Sequence, residues 1–481
     1  MKPFRFSIIS KVIGVVLFIE SLFMLTSLGW AWYFNESFLP IIFSALITAG
    51  FGALLFLPFK NNKNNIEKHE AFLVVAIIWI IISAFGALPY IFSNGIPRII
   101  DAYFETVSGF TTTGSSILSD IEALPKNILF WRALTHWIGG MGIIIFTIAL
   151  LPIFGFGGMN LFEAEATGPT TDKIHPKITE TAKRLWGIYL LLTLTEAALF
   201  LLGGMNLYES VCHSFATIAT GGFSPKNSSL IDYSPYIQYI ASIFMILAGT
   251  NFVLFYWLLK GKTKPFLKSE EFKFYISIIA LATLFITLYL VIDSNPLEYS
   301  FRHALFQTAS IISCTGFVST DYMLWPTAAW TMLFLLMFSG AMVGSTTGGI
   351  KMMRHLLLLK NTIAVIKRKL HPTAIINVRL DKRVISQNVI DNVLDIFVIY
   401  IFSFAILSLL MTTQNLSIAE SMSAIATTLN GIGPGVYNIG AVGNFYHVGD
   451  FGKIILCFAM IIGRLEFITI FILFTKTFWK Q

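Results

Sequence analysis

Ten runs of predominantly apolar residues dominate this sequence, near 11–32, 38–59, 70–92, 130–152, 185–203, 236–260, 272–292, 328–359, 390–411 and 451–475. A helix needs ~20 such residues to cross the hydrocarbon core of a bilayer, so each run is a candidate span. The run 328–359 is too long for one simple crossing and contains a Gly/Thr break. Lys2, Arg5 and Lys11 precede the first run as in a signal sequence, but no small-residue cleavage site follows, which predicts an uncleaved anchor.

Charge agrees with this reading. Only 12% of residues are charged, against roughly a quarter in soluble domains. That excludes a soluble enzyme, a disordered chain and a nucleic-acid binder despite the +7 formal charge. Cys212, Cys314 and Cys457 are too few and too unrelated in context for a secreted disulfide scaffold. With the N-terminus cytoplasmic, ten crossings put 26 Lys and Arg inside and six outside, namely Arg98, Lys126, Arg132, Lys226, Arg302 and Lys453. Such a bias sets orientation and accounts for most basic loops. The run Lys367-Arg368-Lys369 also suits anionic membrane lipid or an acidic partner.

The external segments between alternate helix pairs carry one pattern four times: DAYFETVSGFTTTG (Asp101 to Gly114), ESVCHSFATIATGG (Glu209 to Gly222), HALFQTASIISCTG (His303 to Gly316) and ESMSAIATTLNGIG (Glu420 to Gly433). Each has fourteen residues, opens polar or charged, runs through small or apolar residues and closes in Gly; the closing glycines lie 108, 94 and 117 residues apart. A helix this short enters a bilayer and returns, and survives only when buried in protein or lining water. Asp101, Glu209 and Glu420 at the outer ends complement the positive end of a helix dipole, so the inward C-termini favour a cation. The glycines permit backbone turns that present carbonyl oxygens to an axis, and four such loops can replace an ion's hydration shell. The predicted fold class is an all-α polytopic membrane protein with four helix–pore helix–helix repeats around one central pore, preceded by an extra transmembrane helix pair. The predicted boundaries are 1–69 for that pair, then 70–152, 153–260, 261–360 and 361–481 for the four repeats.

These four repeats, the extra pair at 11–59, the string GSTTGGIK at Gly344–Lys351, and NGIGPG at Asn430–Gly435 followed by IGRLE at Ile462–Glu466 resemble the Trk/Ktr/HKT superfamily of potassium transporters, in its TrkH/TrkG-type branch. The resemblance covers nearly the whole chain. It implies potassium (K⁺) uptake through a channel-like pore in a bacterial inner membrane, a homodimer with one pore per subunit, and a cytoplasmic TrkA-type nucleotide-binding regulatory subunit. NAD and ATP belong to that partner, because this chain has no glycine-rich strand–helix fingerprint and so no organic cofactor of its own.

On this basis the filter residues are Thr112, Thr113 and Gly114; Thr220, Gly221 and Gly222; Cys314, Thr315 and Gly316; and Gly431, Ile432 and Gly433, offering mainly backbone carbonyls to K⁺. With one common Gly per repeat, the pore is expected to separate K⁺ from Na⁺ less sharply than a TVGYG filter. Gly344, Ser345, Thr346, Thr347, Gly348 and Gly349 break a helix within lipid and read either as a gate below the filter or as a kink for close packing; the resemblance favours the gate. Lys351 anchors that string or snorkels to the interface. Arg464, mid-helix in 451–475, is read as a fixed pore charge, with Glu196 or Asp395 as alternative ion-pair partners.

Other residues carry weaker expectations. His136, His213 and His303 read as interfacial or capping residues, since no HExxH or CxxC motif accompanies them. Glu20, Glu196 and Asp395 are intramembrane acids that either relay protons or hydrogen-bond structurally, and Asn251 lines the pore or bonds between helices. An Na⁺- or H⁺-coupled symporter is the second transport reading. A lipid-modifying membrane enzyme would need a convergent His, Asp or Ser cluster, which the sequence does not offer. The loops 153–184 and 351–389, with Glu163, Glu165, Asp172, Lys173, Lys177, Arg379, Asp381, Lys382 and Arg383, are large enough to bind a cytoplasmic subunit or serve as solvated connectors.

Overall fold

Lipid is as apolar as leucine, so helices in a bilayer associate through close packing and polar contacts rather than through the hydrophobic effect. The extra N-terminal pair shows how. In the computed structural model, which describes residues 5–61, 66–142 and 178–479, helix Phe6–Thr26 crosses helix Leu39–Phe56 where Gly14 meets Gly52. A Cβ on Gly14 would lie 2.7 Å from the Gly52 carbonyl oxygen, so only hydrogen at that position permits the crossing. The connecting turn then docks the pair on the first repeat. Both Glu36 carboxylate oxygens accept backbone N–H bonds, from Lys126 (2.7 Å) and Asn127 (2.8 Å). This places a negative charge at the N-terminus of helix Lys126–Gly140.

Among the described residues, six helices are long and apolar enough to cross a membrane: Phe6–Tyr33, Leu39–Phe59, His69–Phe92, Thr181–Leu202, Glu270–Ile292 and Gln387–Gln414. Two further spans are broken, Pro235–Ala248 with Phe252–Leu259 at 99° and Asp450–Leu465 with Phe467–Phe474 at 114°. By length and composition these account for up to eight of the ten expected crossings. The run 328–359 is helical only over Thr327–Leu336 and again over Met352–Leu370, with a non-helical stretch between them. The end of the run 130–152, and the loop residues Glu163, Glu165, Asp172, Lys173 and Lys177, lie outside the described residues.

Between the spans sit four short helices: Ile99–Phe110, Leu207–Ile218, Leu297–Ile312 and Ile418–Asn430. Two of their starts are capped by side chains. Asn206 accepts a bond from the Glu209 N–H at 2.8 Å, and Ser417 with Glu420 forms a reciprocal capping box. Asp101 is paired with Lys453 at 2.6 Å and Arg98 at 3.6 Å. Each helix is wedged between the two spans of its repeat and is buried along most of its length. The architecture is therefore the predicted one: four helix–pore helix–helix repeats after an extra pair. The only strands among the described residues are the two-residue ladder of Arg379–Leu380 and Arg383–Val384.

Candidate permeation site

All four pore helices end in the same way. A left-handed residue closes each helix, just after the C-cap at Thr112 (φ 55°), Thr220 (φ 56°) and Cys314 (φ 55°), and at the C-cap itself at Gly431 (φ 66°). The next N–H reaches back five residues, from Thr113 to Ser108, Gly221 to Ala216, Thr315 to Ser310 and Ile432 to Thr427, at 2.8–2.9 Å. This is a Schellman-type closure, which satisfies carbonyls at the helix end. Two residues after the left-handed position, Gly114, Gly222, Gly316 and Gly433 are again at positive φ, between 79° and 93°. A β-branched residue at positive φ is strained by of order 1–3 kcal/mol. Local bonds offset that strain: Thr111 Oγ1 pairs with Thr113 Oγ1 at 2.8 Å, and Ser313 Oγ with Thr315 Oγ1 at 2.7 Å in the equivalent place.

The four loops close a ring. A Cβ on Gly114 would lie 2.1 Å from the Gly221 carbonyl oxygen, on Gly222 2.0 Å from that of Thr315, on Gly316 1.8 Å from that of Ile432, and on Gly433 2.8 Å from that of Thr113. Each glycine thus presses on the carbonyl preceding the glycine of the next repeat, in cyclic order. A cavity of about 200 Å³ opens on the ring, and all four glycines line it. The twelve residues expected at the filter are therefore brought together, from positions more than 300 residues apart.

Behind the ring, each pore helix grips the strand that leaves its own loop. Glu105 accepts from the Ile117 N–H (2.9 Å) and Ser116 Oγ (2.9 Å). His213 Nε2 bonds Ser224 Oγ (3.0 Å). Ser310 Oγ donates to the Phe317 carbonyl (2.7 Å), and His303 Nδ1 bonds Ser319 Oγ (2.8 Å). Ser423 Oγ accepts from the Val436 N–H (2.8 Å). The expectation that the three histidines are interfacial or capping is corrected. All are buried, and His136 bonds the Gly109 carbonyl (2.8 Å) and lies tilted against the Phe223 ring (centroids 4.0 Å apart). It backs Gly221, where a Cβ would meet its ring at 2.5 Å. The sequence signal that was available is the recurrence of a polar residue within the apolar pore-helix pattern.

The stretch from Gly344 to Gly349 lies against the C-terminal ends of the pore helices. Thr346 Oγ1 donates to the Ile218 carbonyl (3.1 Å), the Gly348 carbonyl faces Cys314 Sγ (3.9 Å), and Gly348 abuts the Asn430 carbonyl. Ser345 Oγ bonds Thr347 Oγ1 (2.8 Å) and the Met342 carbonyl (2.6 Å). Its freed backbone groups find partners, as lipid demands: the Gly344 carbonyl accepts from the Phe252 N–H at 3.0 Å and the Gly249 carbonyl from the Met342 N–H at 3.0 Å. Lys351 is buried and its Nζ donates to the Thr347 carbonyl at 2.5 Å, so it anchors the loop rather than snorkelling. Asn251 caps the second half of the broken span, accepting from the Val253 N–H (2.8 Å), and touches Gly344.

Arg464 is not mid-helix. Its helix ends at Leu465, and Glu466 turns the chain at φ 61°. The guanidinium donates to the carbonyls of Thr346 (2.7 Å), Gly139 (2.5 Å) and Gly140 (3.0 Å), and to Thr112 Oγ1 (3.3 Å). It therefore sits between the glycine ring and the broken loop. Glu466 pairs instead with Arg354 at 2.5 Å. Asp395 is exposed on its helix, whereas Glu20 and Glu196 are fully buried, Glu20 with no hydrogen-bond partner among the described residues and Glu196 beside Thr217.

The chain is similar to known proteins over nearly its whole length. The TrkH family, described as a cation transport protein, matches residues 40–480. The TrkH potassium uptake protein of Escherichia coli strain K12 is 36% identical over 99% of this chain and 100% of its own length. The TrkG protein of the same strain is 32% identical over 98% of this chain and 99% of its own length. The crystal structure of the potassium transporter TrkH from Vibrio parahaemolyticus superposes with a TM-score of 0.89 at 34% identity, covering 99% of this chain and 100% of that one. These relatives are transporters, not enzymes. With its four repeats, its loop ring and its multi-pass membrane architecture, the chain belongs to the TrkH family of cation transport proteins.

Proposed function

We propose that this protein takes up potassium across the bacterial inner membrane through a channel-like pore. The cyclic contact of four glycines with four carbonyls carries this reading, because it is the arrangement that lets backbone oxygens replace an ion's hydration shell. Thr112, Thr113, Gly114 and their counterparts in the other three repeats form the filter. The four pore-helix C-termini add partial negative charge where a cation rests. The stretch Gly344–Gly349, anchored by Lys351 and tied to Arg464, is the gate, and the Arg464 charge is part of its barrier. The N-terminus is cytoplasmic, as the distribution of Lys and Arg supports. The protein works as a homodimer, and a TrkA-type regulatory subunit acts on the gate from the cytoplasmic side, where the helix Met352–Leu370 and the following hairpin emerge.

The test is uptake of K⁺, Rb⁺ and Na⁺ into proteoliposomes, for the wild type and Gly433→Ser. Cation flux that is lost, or altered in preference, supports the filter. Intact flux and preference in folded Gly433→Ser would refute it. A coupled symporter is the second reading, favoured by Glu196, a fully buried carboxyl beside Thr217. Reversal potentials under imposed Na⁺ and H⁺ gradients separate the two.

A further inference from the structure

We propose that the buried ion pair Glu105–Arg132 is a positioning device that sets ion discrimination by locking the first two filter loops to one another. This rests on the filter reading above. Glu105 projects from the first pore helix and Arg132 from the span that follows it, and their side chains are 0% and 2% exposed. Arg132 Nε donates to Glu105 Oε1 at 2.7 Å. The same oxygen accepts from Ser116 Oγ, and Oε2 accepts from the Ile117 N–H, so the carboxylate holds the strand that leaves the first loop. On the far side, Arg132 Nη1 donates to the Ser224 carbonyl at 3.1 Å, and the guanidinium lies 3.4 Å over the Phe223 ring. Both residues belong to the strand leaving the second loop. Ile117, Glu105, Arg132 and Ser224 thus form one continuous polar chain across two repeats.

The other two loops are held differently. Ser310 with His303 and Ser423 with Tyr322 grip their exit strands, and no carboxylate–guanidinium pair does so among the described residues. Arg132 also lines the cavity that opens on the ring. A bare cation there would repel an arriving one, and Glu105 neutralises it at contact distance. A planar guanidinium can hold a carboxylate, a carbonyl and a ring face at once, which an ammonium cannot. The pair therefore fixes the spacing of carbonyls in loops one and two, and that spacing is what distinguishes K⁺ from the smaller Na⁺.

The experiment measures K⁺ and Na⁺ uptake side by side in proteoliposomes for Glu105→Gln, Arg132→Gln, their combination and Arg132→Lys, with Glu298→Gln as a surface control. Each single Gln variant is expected to reduce the K⁺-over-Na⁺ preference about tenfold, as breaking a buried pair is costly. The double variant should lose little more, since the two act as a unit. Arg132→Lys should fall between. A merely structural role would lower the melting temperature and total flux and leave the preference unchanged. Folded, monodisperse variants with unchanged preference overturn the proposal when Gly222→Ser, measured beside them, does alter it. If Gly222→Ser also leaves preference unchanged, the filter reading itself fails and the proposal with it. Where neither Gln variant is recovered folded, Phe223→Leu decides: it removes the ring under the guanidinium and keeps the ion pair. A reduced preference then supports the proposal, and an unchanged one overturns it.

Discussion

The glycine ring and the broken loop beside it are built on opposite plans. The ring uses one device four times: a left-handed closure, a positive-φ glycine and a carbonyl pressed by the neighbouring repeat. The stretch from Gly344 to Gly349 occurs once, in the third repeat, and its contacts run to the second and fourth repeats through Ile218, Asn430 and Arg464. An ion on an axis is best held by equal oxygens, which repetition supplies. A barrier needs only one element that crosses the axis, and four equal copies would collide there. On the proposed reading, symmetry serves binding and its local loss serves closure.

Substitution within the ring is expected to have the largest effect. Gly316→Ser places a Cβ 1.8 Å from the Ile432 carbonyl oxygen at a positive φ. Loop displacement near an ångström costs about a hundredfold in a positioned site, so K⁺ uptake should drop by that order; wild-type uptake from folded Gly316→Ser would break the ring's role. The unique loop should respond in the opposite direction. Arg464→Ala removes the tie to the Thr346 carbonyl, and flux without any regulatory partner is expected to rise about tenfold, within the range of typical coupling energies. A fall in flux would show instead that Arg464 supports the ring through Thr112.

Below the loop, Arg354→Gln leaves Glu466 with no guanidinium at a strained turn. The pair is mostly buried, so its loss should lower stability by about 3 kcal/mol, read as a lower melting temperature in detergent, with ion preference unchanged. The smallest effect belongs to the surface of the third repeat. Arg302 holds the Glu298 carboxyl below the usual carboxylate range through a 2.8 Å bond. Because that value is depressed on folding, the stabilisation is present above the ordinary carboxylate pKa and lost as pH falls through the depressed one. Glu298 is largely exposed, so Glu298→Gln should cost less than ~1 kcal/mol at neutral pH. The difference in melting temperature should vanish in acid.

The spans at 11–32, 38–59 and 390–411 were legible because hydropathy is a local property summed over a window, and the pore helices because a pattern ending in Gly recurs four times. Breaks were legible only in part. The string GSTTGGIK announces one, since an unbroken run of Gly, Ser and Thr forms a helix poorly. Nothing comparable marks the 114° turn at Glu466, which depends on Arg354, 112 residues earlier, to hold its carboxylate.

By itself the sequence determined the membrane class, the repeat count, the orientation bias and the glycines of the ring, because each follows from residue type and spacing along the chain. The tertiary structure alone decided which carbonyl each glycine presses on, which polar residues back the loops, and that Arg132, countable from sequence only as an outside charge, is buried on Glu105. In a low-dielectric interior a charge or an amide is set by the partner it finds. That partner lies on another helix, 27 residues away for Arg132 and Glu105, where no local window reaches.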